Sequence, residues 1–185
     1  MTQTYCYSHP RPAVTADVVL FRLTVEPVEP RVEVLLVRRG HPPFAGCWAL
    51  PGGFVEPAES PAQAAQRELL EETGLALSDL TQVGTFGDPG RDPRGWVVSA
   101  AYAATVGPEM GPLQAGDDAS DVSWWPIGAL PQLAFDHASI VKQALRALGT
   151  TLAPIGEAAS VESASSSPAP DRRKEKHSGS DGRVQ

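Results

Sequence analysis

Cysteine is nearly missing from the 185-residue chain. The two that occur, Cys6 and Cys47, lack the paired spacing of a zinc site or a redox motif, so both read as free thiols. Histidine is as sparse: His9, His41, His137 and His177 are scattered, which argues against a histidine metal centre. No apolar run approaches the length needed to cross a bilayer, and Met1 to Arg11 has no signal-peptide core, so the expected setting is cytoplasmic and no membrane partner is expected. Positive charge is also short. A formal net charge of -7 argues against a nucleic-acid polyanion as the main partner. There is no internal repeat.

What is present suffices for one core, since 42% of the residues are hydrophobic. That content is not evenly spread. From about Thr150 the chain turns to Ser, Ala, Pro and then charged residues, with as many basic as acidic side chains. We therefore expect one domain over residues 1–150 and a disordered tail over 151–185.

The most informative stretch runs from Gly53 to Leu75. Ser60 suits an N-cap, with Pro61 at the first helical position and Gln63 completing a capping box, and Gly74 suits the left-handed residue that ends the helix. Between them Glu68, Glu71 and Glu72 stand at i, i+3 and i+4, so a helix projects all three carboxylates from one side. Such crowding repels unless hard divalent cations sit among the oxygens, and magnesium or manganese fits best. An acidic face that is merely solvated is the plain alternative for an isolated pattern of this kind.

The wider pattern removes that alternative. Gly53, five residues, Glu59, seven residues, Arg67-Glu68-Leu69, one residue, Glu71-Glu72, one residue, Gly74-Leu75 resembles a complete Nudix box, with no position departing from it. The resemblance implies an α/β fold, the Nudix α/β/α sandwich with a mixed sheet. It also implies hydrolysis of a nucleoside diphosphate linked to another moiety, assisted by Mg²⁺ or Mn²⁺. Carried onto this chain, it makes Glu68 and Glu72 direct metal ligands, Glu71 a ligand or water-mediated partner, and Gly53 a ligand through its carbonyl. Arg67 becomes a brace for the glutamates. Glu59 is less defined, because a carboxylate just before an N-cap also suits the helix dipole.

Strands are expected at Val14–Leu23, Arg31–Arg39, Trp48–Leu50, Thr81–Phe86, Trp96–Val106 and Asp121–Ile127, with a last helix over His137–Leu148. The Trp48 strand ends in Pro51-Gly52-Gly53, which delivers the box loop beginning at Gly53. Arg39 to Gly53 resembles the family's approach to it, which makes Arg39 a substrate-side candidate. Trp48 reads as core packing. Phe44, in a loop, is the better candidate to face a ligand.

Substrate choice has to come from loops outside the box. Phe86, then Arg91-Asp92-Pro93-Arg94-Gly95, Val98-Ser99 and Ala101-Tyr102 resemble the signature of ADP-ribose pyrophosphatases, as do Ala115 to Ala119, Trp124 and Phe135-Asp136-His137. The resemblance spans about residues 13 to 148. Arg91 and Arg94 either contact the anionic ligand or pair with Asp88 and Asp92 to order their loop. Asp117 and Asp118 either supply an extra catalytic carboxylate, Asp118 first, or form an ordinary turn. His137 either packs at the start of the last helix or serves as a general base. The reaction implied is ADP-ribose to AMP and ribose 5-phosphate, with a small-molecule nucleotide as partner. Relatives of this kind are often homodimers, so self-association is a further expectation. Two alternatives stay open: a house-cleaning hydrolase of oxidised nucleoside triphosphates, and a non-catalytic ADP-ribose-sensing regulator domain.

Overall fold

The computed structural model describes residues 6–25, 30–116 and 119–149. The expected tail over 151–185 lies outside them, as do Asp117 and Asp118. The strands are β1 (Ala13–Val25), β2 (Pro30–Arg39), β3 (Trp48–Ala49), β4 (Gly52–Phe54), β5 (Thr81–Phe86), β6 (Val97–Val106) and β7 (Ala119–Pro126). The helices are α1 (Pro61–Thr73) and α2 (His137–Leu148), with one 3-10 turn at Ile127–Ala129. All seven strands belong to one sheet, ordered β3-β2-β1-β6-β5, with β4 paired to β1 and β7 paired to β2. β1 and β6 run parallel and the other pairs antiparallel, so the sheet is mixed.

Period-two alternation along β1 builds two cores. Ala16, Val18 and Leu20 face Ala64, Ala65 and Leu69 of α1, while Val19 and Phe21 face the opposite cluster with Ile140, Val141 and Ala144 of α2. This is the α/β/α sandwich that the Nudix resemblance implied. Ala64 and Ala65 are fully buried, and their small side chains let α1 lie close to the sheet. Each fully buried Leu or Ile at these contacts contributes roughly 1.5 to 3 kcal/mol of transfer free energy. Trp48 packs edge-on against Trp125, with 5.2 Å between ring centroids, in agreement with its reading as a core residue.

Gly52 to Phe54 is a correction. The loop expected from Gly53 onward starts within a short separate strand, pairing Gly52 with Asp17, Gly53 with Ala16 and Phe54 with Thr15. Glycine pairs carry no strand signal, but only glycine fits at position 52, where a Cβ would fall 2.3 Å from the Ala16 carbonyl oxygen. The edge of β1 is thus shared: its first half takes β4 and its second half takes β2, from Phe21↔Val34 onward. The sheet opens between β2 and β4, and the candidate site occupies that opening.

Candidate active site

Helix α1 forms one wall. The expected capping box is complete: Gln63 N–H donates to Ser60 Oγ at 3.3 Å, and Ser60 N–H donates to the Gln63 side chain at 2.9 Å. Gly74 closes the helix at φ 75°, its N–H donating to the Leu70 carbonyl. These two ends fix the helix in register, and with it the carboxylates.

Arg67 spends all five of its N–H donors nearby. Nε and Nη2 fork onto Glu59 at 2.9 and 3.0 Å, Nη2 also reaches the Phe54 carbonyl at 3.0 Å, and Nη1 bonds Glu68 at 2.8 Å and Glu71 at 3.1 Å. The Glu59 bonds, foremost, raise the guanidinium pKa, and the same bonds hold the Glu59 carboxyl below its ordinary value. Glu59 therefore anchors Arg67, and Arg67 in turn orients Glu68 and Glu71 and ties α1 to β4.

Glu72 points inward and accepts the Gly52 N–H at 3.0 Å. Burial, with the Glu68 charge adding to it, pushes the Glu72 carboxyl up to about 8, and burial raises Glu68 as well. Gly53 passes directly against Glu68, where a Cβ would lie 2.1 Å from Oε1. Glu71 instead turns outward, its side chain 58% exposed. Among the described residues no three acidic, histidine or cysteine side chains converge on one point. Two desolvated carboxylates beside a backbone that only glycine can occupy nevertheless fit a hard divalent cation, which would restore both to the charged form.

The wall opposite is cationic and aromatic. Arg39, at the end of β2, donates from Nε to the Pro43 carbonyl at 2.8 Å, and its guanidinium lies 5.1 Å from the centre of the Phe135 ring. Arg94 lies 5.3 Å from the same ring and 4.7 Å from that of Phe54. Phe44, exposed as expected of a ligand-facing candidate, meets Phe135 edge-on at 4.8 Å. Phe44 and Phe135 both hold left-handed backbones, at φ 60° and 52°, a conformation costing a non-glycine residue on the order of 1 kcal/mol or more. Burial lowers the Arg39 pKa, and the Arg94 charge lowers it further.

Behind this wall lies a buried polar layer. Arg94 pairs with Asp92, forking onto it at 3.0 and 2.7 Å, while its side chain stays 36% exposed; Asp92 is itself 3% exposed. Burial opposes the Asp92 charge, but the Arg94 bonds outweigh it and the carboxyl pKa is lowered. Arg91 also pairs, though with Asp136 and not Asp88: Nε and Nη2 reach the two carboxylate oxygens at 2.9 and 2.6 Å. With its side chain 4% exposed and its fork occupied by Asp136, Arg91 orders the loop, one of the two roles open to it, through a different acid from the two expected. Its long side chain still borders a recess of about 40 Å³, together with Asp17, Arg94 and His137.

His137 sits next to Asp136 at the head of α2. Its Nδ1 accepts the Leu50 N–H at 2.9 Å, which places the ring proton on Nε2, facing Asp17 at 3.7 Å. Burial holds its pKa below the ordinary value. This geometry gives His137 the packing role, since the nitrogen that could act as a base is already occupied. Asp17 also accepts a hydrogen bond from Ser99 Oγ.

The two walls enclose a cavity of about 360 Å³, lined by Arg39, Leu50, Gly52, Gly53, Phe54, Glu68 and Glu72 among others. Carboxylates on one side and guanidiniums on the other suit a ligand that is anionic and takes a cation with it. The sequence assigns no role to Asp17, Phe135 or Asp136. Only the Phe135-Asp136-His137 tripeptide carried a signal there, as a likeness without a role.

The NUDIX domain model matches residues 12–147. The chain belongs to the Nudix family and is a Nudix hydrolase, a pyrophosphatase acting on phosphoric anhydrides. It is 41% identical over 137 residues to the ADP-ribose pyrophosphatase of Methanocaldococcus jannaschii, covering 70% of this chain and 80% of that one. It is 36% identical to the ADPR responsive transcriptional repressor NtrR of Acinetobacter baylyi, covering 76% of this chain but 56% of the repressor. Among solved structures, the NUDIX domain of Shewanella oneidensis NrtR complexed with ADP ribose matches with a TM-score of 0.67 at 36% identity, covering 76% of this chain and 91% of that one.

Proposed function

We propose that this enzyme hydrolyses ADP-ribose to AMP and ribose 5-phosphate. The observation that carries the reading is the meeting of two charge types: Glu68 and Glu72 share one cavity with Arg39, and Arg39 also lines the small adjoining recess together with Arg94. A diphosphate needs both: its non-bridging oxygens suit the arginines, and its reacting phosphorus must lie near the carboxylate wall. The ADP-ribose named for two relatives and bound in the NrtR structure supports that choice of nucleotide.

In this reading Glu68, Glu72 and the Gly53 carbonyl hold the divalent cation, with Glu71 as a direct or water-mediated partner. Magnesium or manganese bound there would offset the diphosphate charge and lower the pKa of the attacking water. Water adds to one phosphorus, the bridging P–O bond breaks, and each product leaves with one phosphate as a proton is released. Arg67 keeps the glutamates in place throughout. Asp118 is the proposed extra carboxylate: the Gly116 N–H donates to the Glu72 carbonyl at 3.3 Å, so the chain two residues ahead of Asp118 is already at the metal helix. Arg39 and Arg94 take the substrate, Phe44 borders it, and Arg91 supports Arg94 from behind. The catalytic unit is residues 1–150, and its proposed setting is the cytoplasm.

A repressor among the relatives favours one other reading, in which ADP-ribose is sensed and not cleaved. The intact carboxylate face and its five-donor brace oppose that reading. The test is product identity: ADP-ribose is incubated with the purified protein and magnesium in ¹⁸O-labelled water, and the products are weighed by mass spectrometry. Equimolar AMP and ribose 5-phosphate, one of them carrying a single label, is the expected result. Binding without products would transfer the chain to the sensing class.

A further inference from the structure

Phe135 has no place in the chemistry just described, yet it lies at the centre of the cationic wall. Two guanidiniums of like charge, Arg39 and Arg94, approach its ring to 5.1 and 5.3 Å. Like charges repel, and the hydrogen bonds that hold each one run to its own loop: Arg39 to the Pro43 and His41 carbonyls, Arg94 to Asp92. A ring face attracts cations through its quadrupole, so one ring can hold two of them near each other. The ring itself is fixed from behind. Asp136, the next residue, accepts the buried Arg91 fork, and His137 accepts the Leu50 N–H. Asp136 and His137 thus bind the loop carrying Arg94 and the segment leading to Gly53, and Phe135, just before them, faces both arginines from that support. The left-handed φ of 52° turns the Phe135 side chain out of the path that a regular helix start would give it.

We infer that Phe135 is a positioning residue for anion recognition: its ring gathers Arg39 and Arg94 into a single receptor for two adjacent phosphoryl groups. The inference rests on the diphosphate part of the proposed function and is independent of which nucleoside is attached. Without the ring, each arginine would follow its own loop, and a ligand would have to pay for bringing them together.

Inorganic pyrophosphate is the probe, titrated calorimetrically into the full chain without added metal, so that no turnover is needed. Phe135→Leu keeps the apolar volume and Phe135→Asn accepts the left-handed backbone more readily, while both remove the ring. Each should weaken pyrophosphate binding about tenfold with the thermal midpoint retained, and Phe135→Tyr, which keeps the ring face, should restore it. In the double variant Phe135→Leu/Arg94→Gln, binding should be no weaker than in Arg94→Gln alone, because the ring acts through the arginine. Additive losses would mean that Phe135 touches the ligand itself and would overturn the positioning role. So would wild-type affinity in the ring-less variants, a loss in Phe135→Leu that Phe135→Asn does not share, or a wild-type chain that fails to bind pyrophosphate. If Phe135→Leu does not fold, Phe135→Asn carries the same comparison. Failure of ADP-ribose hydrolysis with these binding results intact would reject the substrate and leave the receptor standing.

Discussion

Glu72 joins burial, a backbone hydrogen bond and a neighbouring carboxylate, and its raised pKa is the local cost of an anion kept from water. Removing its charge should remove what makes the site attractive to a cation. Glu72→Gln is expected to cut turnover by about a hundredfold or more while leaving the thermal midpoint in place, since outer ligands alone cost ten- to a hundredfold. Wild-type rates at saturating magnesium in the purified variant would remove α1 from the metal site. His137 gives a second residue-level expectation. Its folded pKa lies below the unfolded value near 6.5, so its contribution to stability is present above about pH 6.5 and fades as the pH falls toward the folded pKa. Nitrogen NMR of the ring at pH 6.5 should show a predominantly neutral Nε2–H tautomer, with Nδ1 accepting. A charged imidazolium at that pH would refute the assignment. Neither the identity of the Nδ1 partner nor the buried Arg91–Asp136 fork was readable in the sequence, because the partners stand 87 and 45 residues apart.

Helix α1 was legible almost whole, since its cap, first proline, carboxylate spacing and terminal glycine are all local signals. β4 was not. Gly52-Gly53-Phe54 has no strand composition, and it becomes a strand only through its approach to Ala16 and Asp17 of β1. The left-handed turn before α2 was hidden for a related reason: phenylalanine at positive φ contradicts local preference and is held by tertiary contacts. The cap of α1 allows a test at this scale. Ser60→Ala removes the acceptor for the Gln63 N–H and should cost about 1 kcal/mol, or roughly 2 to 4 °C in Tm for a domain of this size. An unchanged midpoint by differential scanning calorimetry would show that the capping box does not set the stability of this helix.

At the level of the whole molecule, the sheet places the chemistry where its pairing divides. β1 gives one half of its edge to β4 and the other to β2, and the cavity opens between a carboxylate wall and a guanidinium wall. The family match ends at residue 147 and α2 at Leu148, and the described parts of this site all lie before residue 150. A chain truncated after Ala153 should keep its activity within about twofold and its thermal midpoint within a few degrees, because composition gives residues 154–185 little apolar area to bury. A large fall in either would assign the C-terminal segment a structural role. Whether the cavity takes ADP-ribose as proposed is read most directly from kcat/KM for ADP-ribose and 8-oxo-dGTP, side by side with the same magnesium concentration. A preference for ADP-ribose of roughly tenfold or more is expected, since only the matching ligand satisfies the buried polar wall. Equal values, or a preference for 8-oxo-dGTP, would remove ADP-ribose as the substrate.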